Sequence, residues 1–160
     1  MRPVSVTFAF SQRFPFPADR AFAWAVDFDP GDVVLMGKRG RRRVRRLAAD
    51  AFVLTDTFET PAGVVRKRKL VRIDAERRTW VNTTLAGPGR HSQFLYQIAA
   101  EGPRASRLDF RGLQLLWDRD GPLSPRQVGR LSRQLAREDG SLWRRLARAM
   151  ARDLGGAGRR

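Results

Sequence analysis

Cysteine is absent from this 160-residue chain, which excludes disulfides, thiolate-held zinc, iron–sulfur clusters and cysteine nucleophiles together. Histidine occurs once, at His91, so a pair of histidine metal ligands is excluded as well. No apolar run approaches the roughly 18 residues needed to cross a bilayer. The N-terminus carries Arg2 but no apolar stretch leading to a cleavage signal, so a cytoplasmic protein is expected rather than a secreted one. Lysine is nearly missing too. Of 32 basic residues only Lys38, Lys67 and Lys69 are lysine, and the rest are arginine. The phosphate-cradling, dinucleotide-binding, nucleophile-elbow and EF-hand patterns do not occur. With only scattered carboxylates there is no metal set, and no cofactor is indicated.

What is present suffices for one core. Hydrophobic residues make up 42% of the chain, and there are neither internal repeats nor a linker long enough for a boundary. One domain over residues 1–154 is expected, followed by a basic glycine-rich tail over 155–160. Val4, Val6, Phe8 and Phe10 alternate with small or polar residues, which marks a strand with one buried face. Phe14-Pro15-Phe16-Pro17 breaks it, and residues 18–28 read as a short helix closed by Asp29-Pro30-Gly31. From about residue 33 to 117 one short strand follows another, beginning with Val33 to Met36. Turns at Pro61-Ala62-Gly63, Gly87-Pro88-Gly89 and Gly102-Pro103 separate them, the spacing of an antiparallel meander. The period then changes. Ser124-Pro125 opens a helix whose apolar positions run from Val128 through Leu131, Leu135, Leu142 and Leu146 to Met150. Asp139-Gly140 falls inside it, and the unbroken phase favours a continuous helix over one restarted at Ser141.

The order is α+β: strand, short helix, six-strand meander, long helix. One helix of about 30 residues, roughly 45 Å, can cover a curved sheet without filling its whole concave face. Space between helix and sheet is therefore expected. That order, with Phe16-Pro17-Ala18-Asp19-Arg20-Ala21-Phe22 running into Asp27-Phe28-Asp29-Pro30, resembles the START-like helix-grip superfamily (SRPBCC). Its members include polyketide cyclases, lipid-transfer domains and coenzyme Q-binding proteins. The resemblance implies a curved antiparallel sheet of about seven strands wrapped around the C-terminal helix, with a hydrophobic cavity between them. It carries no universal catalytic signature.

Parity along the strands names candidates for that cavity: Phe52, Leu54, Phe58, Phe94, Tyr96, Phe110 and Gln114 from the sheet, with Leu135, Leu142 and Leu146 from the helix. Four polar residues share this inward face, Gln114 among them. Asp56 has the parity of Phe52, Leu54 and Phe58, so it is a ligand acceptor, a general base or half of a salt bridge to an arginine such as Arg46 or Arg68. The abundance of arginine favours the salt bridge. Tyr96, the only tyrosine, serves equally well as core packing or as a hydroxyl that orients a ligand carbonyl. Asp139 falls in the middle of the apolar stripe of the long helix and aims a carboxylate at the cavity. Trp80 is ambiguous, because Val81, Thr83 and Leu85 compete for the inner face. His91 reads as a loop-edge residue, with no acid placed near it in sequence.

Net charge is +16, and two basic runs dominate it, Lys38 to Arg46 and Arg66 to Lys69. Strand parity would set Arg41, Arg43, Arg45, Arg66 and Arg68 outward as one patch. Guanidinium forks bind phosphates bidentately, yet no aromatic residue interleaves the first run, so base stacking is not indicated. A solvated face explains the patch as simply as weak, non-specific contact with nucleic acid or an anionic membrane does.

The leading expectation is a carrier or sensor that binds an apolar or amphipathic small molecule, lipid-like or polycyclic aromatic, without covalent chemistry. The alternative is a cyclase, aromatase or dehydratase of polyketide-like substrates, with Asp56, Tyr96 and Asp139 as its acid–base groups.

Overall fold

The first and last strands of the chain meet in the sheet. A computed structural model describes residues 2–119 and 121–156. Strand β1 (Val4–Phe14) lies antiparallel to the last strand, β7 (Ser106–Leu116), in unbroken register from Val4 opposite Leu116 to Phe14 opposite Ser106. Between them come two short helices, α1 (Ala18–Ala25) and α2 (Asp32–Leu35), and five further strands. These are β2 (Gly40–Ala48), β3 (Ala51–Thr60), β4 (Gly63–Asp74), β5 (Thr79–Ala86) and β6 (Gln93–Ala100). The sheet order is β1-β7-β6-β5-β4-β3-β2, so β2 to β7 form the expected meander and β1 closes onto its far side. Register shifts at Arg46/Ala48 and Arg68/Lys69 interrupt the ladders, the kind of irregularity that bends a strand.

Helix α3 (Pro125–Gly155) runs 31 residues without a break, against β1 and across the concave face. Its start is a full capping box: Ser124 Oγ accepts from the Gln127 backbone N–H, and the Gln127 side chain accepts from the Ser124 N–H. Gly140 sits buried where the helix passes Phe10, and continuity through Asp139-Gly140 carries the Asp139 side chain to the inner side. The helix includes Gly155, one residue past the expected end. The remaining tail expectation, residues 157–160, lies outside the described residues.

One expected strand is a helix. Val33 to Met36, expected as the first short strand of the series, instead falls in α2 as far as Leu35, with Met36 as its C-cap. The Asp29 carboxylate accepts from the Gly31 N–H at 2.6 Å and the Asp29 carbonyl from the Asp32 N–H at 3.0 Å, a turn that leads into the helix and outweighs the β preference of Val33 and Val34. The helical face then buries Val33 and leaves Val34 70% exposed.

Two apolar groups flank the concave face. At one end Phe14, Phe22, Trp80, Ile98, Leu108, Trp143, Leu146 and Met150 pack together. At the other, Phe8, Phe94 and Phe110 do so, with Leu135 against them. Trp80 faces inward and stacks on Tyr96 at 4.8 Å, which leaves Val81, Thr83 and Leu85 on the outer face.

Candidate functional site

Between these clusters the inner face is polar, because five strands place polar residues at inward positions. β2 contributes Arg42, β3 Asp56, β4 Lys67 and Lys69, β5 Asn82 and Thr84, and β6 Tyr96. Asp56 is fully buried. Arg42 donates to it from Nε and Nη2 at 2.7 and 3.0 Å, and Lys69 Nζ lies 3.0 Å from Oδ2. Burial alone would raise the Asp56 carboxyl. Arg42 and Lys69 more than offset that and hold it below the usual range. Arg42 also reaches Asp32 of α2 at 3.7 Å. The ion pair anticipated for Asp56 thus involves Arg42 and Lys69, not Arg46 or Arg68. Those two have other geometry: Arg46 lies over the Phe52 ring, and Arg68 stands on the outer face.

Beside this knot two adjoining cavities, about 160 and 90 Å³, open between α3 and the sheet. Met36, Lys69, Asn82, Tyr96, Leu142 and Trp143 line both. The larger is completed by Lys38, Phe58, Lys67, Phe94, Gln114 and Asp139, the smaller by residues that include Leu54 and Leu146. Of the candidates read from sequence, Leu54, Phe58, Phe94, Tyr96, Gln114, Asp139, Leu142 and Leu146 therefore stand at these walls. Phe52, Phe110 and Leu135 do not. Phe52 packs on Phe28, Phe110 is wedged among Phe8, Phe10, Phe94 and Tyr96, and Leu135 covers that aromatic group. Inward parity placed them correctly on the concave face, but their neighbours fill the space. Asp56 is likewise sealed by its cations rather than open to the cavity.

The titratable groups at the walls are displaced from their ordinary behaviour. Burial, and secondarily Lys69 and Lys38, lowers the Lys67 ammonium to about 8, against opposing pulls from Asp139 and Asp56. Burial raises the Asp139 carboxyl, although Lys67 and Lys38 draw it down. Burial and Asp139 raise the Tyr96 hydroxyl above the tyrosine range, so it stays protonated. Among the described residues Lys67 and Asp139 belong to no ion pair. Lys67 Nζ instead lies 5.8 Å from the Phe94 ring centre. Asn82 Oδ1 and Thr84 Oγ1, buried on the same face, have no hydrogen-bond partner among the described residues.

An open groove of about 730 Å³ adjoins the larger cavity, under the β5–β6 turn and along the end of β7. Lys67 and Gln114 line both spaces. The rest of the groove is largely apolar, with Leu85, Pro88, Leu116 and Trp117. His91 is exposed in that turn at φ 68° and lies edge-on to Trp117, outside the lining of the groove and of both cavities.

The lysines were not among the sequence candidates, because a basic run reads as exposed. The signal was the alternation Val65, Lys67, Lys69, Val71, which gives both lysines the parity of a buried valine. The outer parity holds Arg41 opposite Thr57 opposite Arg66, and Arg43 opposite Thr55 opposite Arg68. With Arg45 these arginines are exposed on one face.

This is the architecture that the element order implied: seven antiparallel strands gripping one long C-terminal helix. The fold is the helix grip. No protein-family model matches the sequence, and no curated protein matches it either. Solved structures do match. Zhui aromatase/cyclase from Streptomyces sp. R1128 is similar over 97% of this chain and 99% of its own, at 13% identity and TM-score 0.77. A START superfamily protein from Mycobacterium smegmatis covers 94% of this chain and 98% of its own, at 12% identity and TM-score 0.65. Norcoclaurine synthase from Thalictrum flavum, in complex with dopamine and hydroxybenzaldehyde, covers 96% and 88%, at 11% identity and TM-score 0.65. Among the described residues no helix is long and apolar enough to cross a membrane.

Proposed function

We propose that residues 1–154 form one ligand-binding domain, and that it holds an amphipathic small molecule as carrier or sensor. The polar end of the molecule sits in the helix–sheet cavity and its apolar body lies along the adjoining groove. One observation carries this reading: Lys67 and Gln114 belong to the walls of both spaces. Ordinary ligand sites measure about 300–1,000 Å³, so a cavity of about 160 Å³ suits a head group or a single ring, not a whole lipid. The groove supplies the missing volume. Lys67, Asn82, Tyr96 and Gln114 offer donors and acceptors to an oxygen-bearing head, and Asn82 Oδ1 has no partner among the described residues to give up.

The test uses 8-anilinonaphthalene-1-sulfonate, an anionic head on apolar rings, with energy transfer from tryptophan as the signal. One saturable site per chain is expected, and Leu142→Trp, which fills the larger cavity, should abolish it while thermal unfolding stays cooperative. Unsaturable binding, or equal binding by the filled variant, would overturn the reading.

A cyclase-type enzyme is the second reading, and one feature favours it. Tyr96 and Asp139 line the same cavity, a hydroxyl held protonated beside a carboxyl raised by burial, which together can donate protons to a carbonyl oxygen. Turnover of a short poly-β-ketone thioester that disappears in Asp139→Asn would support it. Unchanged turnover in that variant would remove Asp139 from the reaction.

A further inference from the structure

A chain that answers almost every need for a cation with arginine uses lysine three times, and all three lysines line one cavity. Lys38, Lys67 and Lys69 stand together at the walls of the 160 Å³ space. Guanidinium and ammonium differ chemically in one respect that matters here: arginine stays charged in proteins, whereas a buried lysine can become a neutral amine. The three lysines are not equivalent. Lys69 is bound to Asp56 at 3.0 Å, and Lys38 is exposed at the cavity's edge, over the Phe58 ring at 4.6 Å. Lys67 has only the Phe94 ring and no carboxylate partner among the described residues. It also stands where the enclosed cavity meets the open groove.

We propose that Lys67 is a nucleophilic amine that condenses with an aldehyde or ketone group of the ligand to form an imine. The proposal rests on the cavity being the ligand site and names the ligand's chemical class, a carbonyl compound with an apolar body. The neutral Nζ adds to the carbonyl carbon, forming a C–N bond, and the carbonyl oxygen takes up a proton. Nitrogen then gives up its two protons while the oxygen takes a second and leaves as water, breaking the C–O bond and forming C=N, so amine and carbonyl give imine and water with no oxidant or reductant. The surroundings suit each step. Lys69 and Lys38 disfavour a third ammonium charge nearby, while Asp139 and Asp56 pull the other way. Tyr96 and Asp139 are placed at the same walls to supply the protons that the departing oxygen needs. The aromatic walls of Phe58, Phe94 and Trp143 shield an imine from bulk water.

Reductive trapping tests the idea, and the scarcity of lysine makes it readable. The full chain is incubated with benzaldehyde and sodium cyanoborohydride, and the benzylated lysines are mapped by peptide mass spectrometry. Lys67 should be modified at least about tenfold faster than exposed Lys38 at pH 7.5, as expected of an amine that is partly neutral there. The rate at Lys67 should climb with a midpoint near pH 8, the value its surroundings impose. Lys67→Arg, which keeps the charge and removes the nucleophile, should lose the fast phase, and Lys67→Met should lose it too, with cooperative unfolding confirming both folds. Equal labelling of Lys38 and Lys67, or a fast phase surviving in both variants, would overturn the proposal. Binding of 8-anilinonaphthalene-1-sulfonate is measured in parallel. If that dye binds one saturable site and Lys67 is still unlabelled, the imine fails while the cavity reading stands. If neither occurs, both fail.

Discussion

Lys67 and Asp139 face one cavity from opposite walls, β4 and α3, and neither forms an ion pair among the described residues. Each charge is thus taken partly out of water without the contact that would repay it. Folded chains keep such arrangements at a cost in stability, and that cost can be measured.

Replacing Lys67 by methionine should stabilise the protein by on the order of 1–3 kcal/mol at pH 7, because a depressed ammonium is a destabilised one. The sign with pH follows. The folded lysine releases its proton near 8, while the unfolded chain holds it to about 10.5, so wild-type stability gains from this residue as pH rises between those values. The advantage of Lys67→Met should shrink over the same range in urea titrations. A variant less stable than wild type at pH 7 would contradict this.

Asp56 should behave in the opposite way. Removing its charge in Asp56→Asn leaves Lys69 buried without its partner and Arg42 with the longer contact to Asp32 alone, a change expected to cost about 3–5 kcal/mol. A loss under 1 kcal/mol in chemical denaturation would mean that the cations find water instead.

Asp32 sets a second pH window. Its carboxyl is raised to about 6, mainly by burial, with Arg42 pulling down and Asp27, Asp29 and Asp153 pushing up. A raised acid binds its proton more tightly in the folded state, so its contribution is present at low pH and is lost as pH climbs from about 4 to 6. Asp32→Asn should therefore gain stability relative to wild type as pH rises from 4.5 to 7. A constant difference between the two proteins would refute it.

Gly112, in the middle of β7, tests the aromatic floor of the site. A methyl group there would meet Phe8 and Phe110 ring carbons at 2.7 and 2.9 Å, with a third ring, Phe94, packed beside them. Gly112→Ala should cost about 1–3 kcal/mol and disturb near-ultraviolet circular dichroism. An unchanged melting profile would show that the rings can shift.

The outer arginines give the last prediction. Arg41, Arg43, Arg45, Arg66 and Arg68 should bind RNA, duplex DNA and anionic vesicles weakly and without sequence preference. Because such binding releases counterions, it should fall by orders of magnitude between about 50 and 200 mM salt. Affinity that survives the higher salt, or that depends on sequence, would instead make nucleic acid a specific partner.

The strands and the long helix could be read from the residues because period two and period 3.6 are strong along β1, β3, β7 and α3. The candidates Phe94, Tyr96, Gln114 and Leu142 followed from that same parity. What parity cannot say is how much space remains once rings interlock, so Phe110 and Leu135 pointed the right way into a place already full. Composition misled at Lys67 and Lys69, since four consecutive basic residues look like surface. The pairing of β4 with β3 and β5 turns every second one toward the helix. Val33 and Val34 depart from their β preference for a local reason, the turn that Asp29 holds just before them.

The open edge of the sheet has one more consequence. Among the described residues β2 pairs with no strand but β3, so its other side is an open sheet edge. Val44 and Leu47 are exposed on that strand, at 39% and 52%, features that would let a second copy add on as a neighbouring strand. Exposed Arg41, Arg43, Arg45 and Arg46 forbid it by repulsion between like edges. The insulation is electrostatic, so it has a release: concentrated salt or a bridging polyphosphate screens it. The solubility of this chain should consequently be lowest where its charge is most thoroughly masked.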